Sequence, residues 1–168
     1  MSPKGDAPSD GTGAAPRGRR RGPRGGEVRE NPLAYALDAS AILALLRREP
    51  GSDFVASVLD VSVLSAVNWA EVLSKSLEYG ADLRDAMRYF ESLGVVVIPF
   101  SELDATGVAE LRLTTKALGL SLGDRACLAL AQRFEISALT ADRAWSRLDL
   151  GIPVQQIRGQ DDDLESAC

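Results

Sequence analysis

The stretch YALDASAILALLRREPG (35–51) carries the pattern that decides the fold: a short apolar run, then an aspartate, then a longer apolar run. YAL (35–37) is short and apolar and predicts a strand. SAILALLRR (40–48) has the length and spacing of a helix, and Pro50 and Gly51 predict its end. A strand that leads through one acidic residue into a helix is the first half of a βαβ unit.

The same alternation of short and long apolar runs continues to residue 157. Further strands are predicted at VSVLSAV (61–67), VVVIPF (95–100), SALT (137–140) and IPVQQI (152–157). Helices are predicted at 53–59, 68–79, 82–93, 104–118, 123–134 and 142–148. Because helices link the strands, the sequence predicts a three-layer α/β/α domain with a parallel sheet of about five strands. The unbroken β-branched run VVVIPF is typical of a strand buried on both faces.

The composition predicts one folded domain with a tail at each end. Residues 1–31 are rich in Gly, Pro and Arg and predict a disordered basic extension, whose arginines could contact RNA backbone or simply remain solvated. Residues 32–158 hold the apolar runs and predict the folded domain. Residues 159–168 predict a disordered acidic tail.

The composition also limits the chemistry. The chain has no histidine, which excludes Ser-His-Asp and Cys-His catalysis, His-assisted RNA cleavage and His-ligated zinc. Cys127 and Cys168 lack metal-site spacing, and no apolar stretch is long enough to span a membrane. We therefore expect a soluble cytoplasmic protein. Beyond the first thirty residues, 12 basic and 20 acidic side chains give a net charge of −8, so any nucleic-acid site must be local or metal-assisted.

Four acidic residues occur at predicted strand ends or helix starts. Asp38 directly follows the first strand, and Asp142 lies two residues beyond the fourth strand, SALT. Asp124 opens a helix after Ser-Leu-Gly, and Glu71 lies in the first turn of the helix after the second strand. Because the carboxyl ends of parallel strands share one edge of a sheet, we expect these four side chains to lie near one another.

Each of the four acids also has a purely structural interpretation. Asp at a helix start is a common cap, Ser121 with Asp124 fits the capping-box pattern, and Glu71 could pair with Lys75 one turn on. Four carboxylates on one edge, however, would repel one another unless a cation lay among them. Oxygen ligands of this kind suit Mg²⁺ or Mn²⁺.

Four segments together resemble the PIN-domain family, in particular the VapC-type toxin ribonucleases of toxin–antitoxin systems. The matching segments are LDASAILALL (37–46), SAVNWAEVLSK (65–75), GLSLGDRACLALA (119–131) and LTADRAW (139–145). The resemblance implies that Asp38, Asp124 and Asp142 bind Mg²⁺ or Mn²⁺, that Glu71 is a fourth catalytic and metal-binding acid, and that the hydroxyls of Ser40 and Thr140 support them.

The same resemblance implies what the protein does and with whom. It implies a metal-dependent endoribonuclease that leaves 5′-phosphate and 3′-hydroxyl ends, is inhibited by a small cognate antitoxin protein and forms a homodimer. Arg125 and Arg143 each follow a proposed ligand and are candidate RNA contacts, although they could be ordinary solvated charges. Trp69 and Trp145 could stack on bases, but core packing is the simpler interpretation.

Other functions remain open on the sequence alone. A phosphoryl-transfer enzyme could use Asp38 as a phosphoacceptor, although Ser40 stands where the haloacid-dehalogenase type has a second aspartate. A PIN-like protein that has lost cleavage, or one that cuts DNA, would also carry this pattern.

Overall fold

Five short parallel strands form one sheet in a computed structural model that describes residues 33–158. The strands are β1 (Tyr35–Leu37), β2 (Ser62–Ser65), β3 (Val96–Ile98), β4 (Ser137–Thr140) and β5 (Val154–Gln156). Their order across the sheet is β3-β2-β1-β4-β5, and every neighbouring pair is parallel. The predicted α/β/α fold with a parallel sheet of about five strands is therefore confirmed.

Within residues 33–158, six α-helices link and cover these strands. They are α1 (Ala39–Arg47), α2 (Ser52–Val58), α3 (Ala66–Glu78), α4 (Leu83–Leu93), α5 (Glu102–Thr115) and α6 (Leu122–Phe134). Three short 3-10 helices lie at Leu59–Val61, Lys116–Leu118 and Arg143–Arg147, the last at the helix predicted for 142–148. The helix ends follow the local sequence: Asp82 caps the start of α4, and Gly94 ends it at a positive φ that favours glycine.

Alternate residues of the strands face two separate cores. Ala36, Val63 and Ala138 point to one face, where α5 and α6 pack and where Cys127 is a small buried residue. On the other face Leu37 lies beside Leu64 and Leu139 in the strand register, under α1 to α4. This alternation is the period of two that a strand imposes. The central strands are consequently buried on both faces between two layers of helices.

The expectation that VVVIPF forms a strand buried on both faces was wrong. The strand itself exists as β3, but it pairs only with β2 and lies at the edge of the sheet. Val96 and Val97 remain 38% and 37% exposed. A continuous apolar run shows that a strand is apolar, but it does not show whether the strand is central or at the edge. The position of a strand in the sheet depends on the topology of the whole chain. The exposed valines are thus an open apolar edge.

A buried ion pair joins the two helices of one outer layer. Asp104 of α5 is 4% exposed, and its carboxylate accepts hydrogen bonds from Arg133 of α6 at 2.6 and 2.8 Å. The backbone N–H and the hydroxyl of Ser101 also donate to Asp104, each at 2.7 Å. One carboxylate therefore caps α5 and fastens it to α6.

The basic extension predicted at 1–31 and the acidic tail predicted at 159–168 lie outside the described residues. None of the helices within 33–158 combines the length and the apolar character that crossing a bilayer requires.

Candidate active site

The candidate site lies where β1 and β4 end side by side. Leu37 is in register with Leu139, and the backbone N–H of Asp38 donates to the Leu139 carbonyl at 2.9 Å. The chain passes from β1 to β2 on one side, and β4 then returns to the other side of β1. A reversal of strand order opens a crevice at the carboxyl ends of the strands, which is where open α/β sheets bind ligands.

Asp38 is held in this crevice by four donors. Its Oδ2 accepts from the Ser40 backbone N–H (3.2 Å), the Ser40 hydroxyl (2.5 Å) and the Thr140 hydroxyl (3.1 Å). Its Oδ1 accepts from Nδ2 of Asn68 at 3.1 Å. The side chain is almost fully buried, so Oδ2 is saturated and Oδ1 is the oxygen with acceptor capacity to spare. The hydroxyls of Ser40 and Thr140 both hydrogen-bond the same oxygen of Asp38.

The environment of Asp38 disfavours its charge. Burial raises the pKa of Asp38 from 3.8 to about 6, hydrogen bonds from Ser40 and Thr140 oppose this rise, and the negative charge of Asp124 adds to it. The desolvation cost thus outweighs the hydrogen bonds from Ser40 and Thr140. A cation at Oδ1 would relieve that cost, which is the electrostatic condition for a metal ligand.

Glu71 approaches the same place from α3. Burial, and then the charge of Asp124, raise the pKa of Glu71, while Lys75 lowers it. The ammonium of Lys75 is itself paired with Glu78 at 2.8 Å. A Cβ added to Gly123 would lie 2.5 Å from Oε2 of Glu71, so the glutamate carboxylate rests against the bare first turn of α6.

Asp124 has both a structural and an electrostatic role. Its Oδ2 accepts from the Ser121 backbone N–H at 2.6 Å, and its own N–H donates to the Ser121 hydroxyl at 3.1 Å. The capping box considered from the sequence is therefore real. It coexists with the influence of Asp124 on Asp38 and Glu71, because a cap fixes the carboxylate at the rim of the crevice.

Asp142 is joined to Asp38 through Thr140. The backbone N–H of Asp142 donates to the Thr140 hydroxyl at 3.1 Å, and that hydroxyl donates to Asp38. Oδ1 of Asp142 accepts from the Ala144 N–H at 2.9 Å and so starts the 3-10 helix after β4. The Asp142 side chain is exposed at the mouth of the crevice.

The acids form an open cluster rather than a closed cage. Within residues 33–158, no three Asp, Glu or Cys side chains are arranged so that all could hold one metal ion. Like charges separate when no cation lies between them. The donors still fit Mg²⁺ or Mn²⁺, because such ions bind through one or two carboxylates and keep several waters and substrate oxygens as ligands.

The other candidates divide between the core and the surface. The guanidinium of Arg125 donates to the carbonyls of Ser121 and Val108, both at 3.1 Å, which favours a structural role in joining α6 to α5. Trp145 is fully buried in the core, and Trp69 packs edge-on against Phe90, as the packing interpretation expected. Arg143 is exposed beside Asp142 and stays a candidate RNA contact.

Sequence reasoning missed Asn68. This asparagine is fully buried in the first turn of α3, and its Nδ2 donates to Asp38 and to the Gly123 carbonyl, both at 3.1 Å. A signal was present in SAVNWAEV: Asn68 stands one turn before the buried Val72, on the face of the helix that should be apolar. A polar residue at such a position requires a hydrogen-bond partner.

The raised pKa of Asp38 predicts a pH-dependent stability of the metal-free protein. Because the folded state binds this proton more tightly than the unfolded state, the stabilisation is complete below pH 3.8 and is lost as the pH rises through about 6. As the pH falls from about 8 to about 4.5, the free energy of unfolding of wild type should increase by about 2 kcal/mol relative to that of Asp38→Asn. Urea titrations of both proteins measure this shift. A difference that stays constant with pH would contradict the buried environment of Asp38.

Comparison with known proteins supports the fold described above. Among solved structures, the fold is similar to a toxin–antitoxin complex from Klebsiella pneumoniae (20% identity, TM-score 0.56), over 74% of this chain and 97% of that chain. It is similar to a DNA-bound VapBC from Salmonella typhimurium (14% identity, TM-score 0.59; 74% and 98% covered). It is also similar to a VapBC family member from Mycobacterium tuberculosis (25% identity, TM-score 0.52; 76% and 100% covered).

The search of curated proteins found no match to this sequence. The sequence pattern of the PIN domain matches residues 35–150, which is more than half of the chain and spans all four acids. The resemblance seen in the sequence is thereby confirmed, and the chain belongs to the PIN domain family.

Proposed function

We propose that this protein is a Mg²⁺- or Mn²⁺-dependent endoribonuclease and the toxin of a type II toxin–antitoxin pair. One observation carries the proposal. Four donors hold the buried carboxylate of Asp38 in the crevice between β1 and β4, and the negative charge of Asp124 raises its pKa. Carboxylates gathered at the switch point of a parallel sheet favour a divalent cation and a phosphate-containing ligand. The PIN family and the toxin–antitoxin complexes of similar fold support this proposal.

The residues that would hold the ion are Asp38, through Oδ1, and Asp124, with Asp142 and Glu71 as further ligands. When bound, such an ion lowers the pKa of a water molecule, orients the scissile phosphate and neutralises charge on its oxygens. Ser40 and Thr140 hold Oδ2 of Asp38, so that Oδ1 keeps its direction. The remaining step, removal of a proton from the attacking water, is assigned to a side chain of the protein.

Glu71 is the proposed base. Glu71 as a residue is exposed, while partial burial of its carboxyl group and the Asp124 charge raise its pKa, which suits a group that accepts a proton from the attacking water. The water oxygen forms a bond to phosphorus in line with the bond to the leaving 3′-oxygen, which breaks. The leaving oxygen takes up a proton, giving 3′-hydroxyl and 5′-phosphate ends. The absence of histidine from the chain argues against a route through a His-activated 2′-hydroxyl.

Two alternatives have specific counterarguments. A phosphoaspartate at Asp38 is disfavoured, because Ser40 stands where the haloacid-dehalogenase type has a second aspartate, and its hydroxyl donates to Asp38. A DNA-cutting enzyme would use the same acids and differ in the surface that receives the strand. The cleavage assay below separates RNA from DNA directly.

The proposed partners are a small antitoxin protein and a second copy of this chain. A groove of about 580 Å³ between α1, α3 and α4 is lined by apolar side chains, including Leu43, Leu46 and Tyr89, and is suited to an apolar antitoxin segment. The exposed valines of β3 supply an apolar surface for self-association into a homodimer. We propose a cytoplasmic location, where RNA and a co-expressed antitoxin are both present.

Metal removal tests the proposed function. The purified protein should cleave single-stranded RNA with Mg²⁺ or Mn²⁺, and excess EDTA should reduce the rate by about 10³-fold or more, since the ion supplies several kcal/mol of transition-state stabilisation. Added Mn²⁺ should restore cleavage. DNA of the same sequence is the matched substrate: equal cleavage would favour the DNA-cutting alternative, and undiminished RNA cleavage in EDTA would refute the metal site.

A further inference from the structure

One amide group connects three elements around the site. Asn68 of α3 donates through Nδ2 to Oδ1 of Asp38, 30 residues earlier, and to the carbonyl of Gly123, 55 residues later, both at 3.1 Å. The side chain is fully buried, so water does not compete for these bonds. The end of β1 and the start of α6 are thus held to the first turn of α3 by the two protons of a single NH₂ group.

The chemistry of the two partners fixes the orientation of this amide. Both the Asp38 carboxylate and the Gly123 carbonyl are acceptors, so the NH₂ group and not the oxygen must face them. Oδ1 of Asn68 has no hydrogen-bond partner among the described residues although it is buried. The amide therefore contributes through the two bonds that it donates, since its own oxygen is a buried acceptor without a partner.

Asn68 is connected to three of the four acids, to Asp38 directly and to the other two through Gly123. It touches Asp38 directly, on the one oxygen that Ser40 and Thr140 leave open. It holds Gly123, whose neighbour is Asp124. Glu71 lies one helical turn beyond Asn68, and its carboxylate lies against Gly123. A Cβ built on Gly123 would be only 2.5 Å from Oε2 of Glu71.

We propose that Asn68 is a positioning residue that sets the separation and direction of Asp38 and Asp124, and through them the metal affinity of the site. This inference rests on the proposed function for its consequence, but the positioning itself is a property of the protein without metal. Partners that orient a metal ligand without touching the metal typically change its affinity or the activity by about 10- to 100-fold when they are removed.

The test replaces Asn68 with leucine and compares it with a matched variant. Thr115→Val is the control, because Thr115 is also fully buried but its hydroxyl donates only within its own helix, to the Leu111 carbonyl at 2.7 Å. Calorimetric titration with Mn²⁺ alone should show binding to Asn68→Leu weakened by about 10- to 100-fold. Thr115→Val should bind Mn²⁺ as wild type does. In RNA cleavage, kcat should fall for Asn68→Leu while KM stays near the wild-type value, because substrate contacts are unchanged.

Crystal structures of the metal-free wild type and Asn68→Leu provide a readout that needs no activity. The Asp38 carboxylate should turn or the first turn of α6 should move away from β1; if both keep their wild-type positions, the inference is overturned. If wild type neither binds Mn²⁺ nor cleaves RNA, the proposed function fails, and these structures alone decide the role of Asn68. Should the leucine variant not fold, Asn68→Ser, which is smaller and cannot reach both acceptors, replaces it with the same expected results.

Discussion

Replacing Asp38 with asparagine is expected to reduce RNA cleavage by about 10³-fold or more, because it removes a carboxylate from the proposed metal site. The amide oxygen of asparagine can still accept from Ser40 and Thr140, so the local structure is retained. Loss of the buried charge favours the folded state, and the new amide nitrogen facing Asn68 opposes it. We expect the free energy of unfolding at neutral pH to stay within about 1 kcal/mol of wild type.

Initial rates on an end-labelled RNA measure this effect, with Asp149→Asn as the matched control. Asp149 is exposed beyond the 3-10 helix that follows β4, and its replacement removes one carboxylate without touching the site. That control should cleave RNA at the wild-type rate. In cells, expression of wild type should arrest growth, and expression of Asp38→Asn should not. Cleavage by Asp38→Asn within tenfold of wild type would remove Asp38 from the catalytic centre.

Replacing Asp104 with alanine is expected to lower the free energy of unfolding by about 3 kcal/mol, because it breaks a buried ion pair and removes a helix cap. The Asp104 side chain is 3% exposed and that of Arg133 is 30% exposed. Burial alone would raise the pKa of Asp104, but the hydrogen bonds from Ser101 and the charge of Arg133 outweigh it, and the pKa is lowered. The contribution is therefore present above the ordinary pKa of an aspartate and is lost as the pH falls through the lowered value.

Urea denaturation near neutral pH measures the loss, and Asp85→Ala is its control. Asp85 also pairs with an arginine, Arg88, but both side chains are more than half exposed. An exposed pair of this kind contributes about 0.5 kcal/mol or less. Equal losses for the two variants would show that burial of the Asp104 pair adds nothing. RNA cleavage by folded Asp104→Ala should match wild type, since this pair lies outside the four-acid site.

The sequence predicted the sheet because strand period and helix period are local properties. YAL and SALT were placed correctly, since each is bounded by residues that begin a helix or a turn. The edge position of VVVIPF was missed, because neighbour order in a sheet depends on pairings that span the whole chain. Local apolar character could not distinguish a central strand from an edge strand.

The sequence predicted which strands and helices contribute to the candidate site, but not the hydrogen bonds between its side chains. Strand ends and helix starts predicted which acids lie at this edge of the sheet, and the charge of Asp124 acts on both Asp38 and Glu71. The contact between Ser40 and Thr140, which are 100 residues apart, and the donation from Asn68 to Asp38 depend on the sheet register and on how α3 packs. The sequence allowed two interpretations of Asp124, as a cap and as a site acid; the structure shows the capping box, and the charge of Asp124 raises the pKa of Asp38.

The connectivity of the sheet affects the electrostatic potential at the crevice of this protein, whose net charge is −5. α1 and α3 follow β1 and β2, and Asn68 of α3 donates to the first turn of α6, so these three helices begin at the edge where β1 and β4 end. Their aligned peptide dipoles each place about half a positive charge at that edge. These partial charges oppose part of the repulsion that the carboxylates at the same edge would exert on an incoming phosphodiester, and a bound cation would oppose the rest.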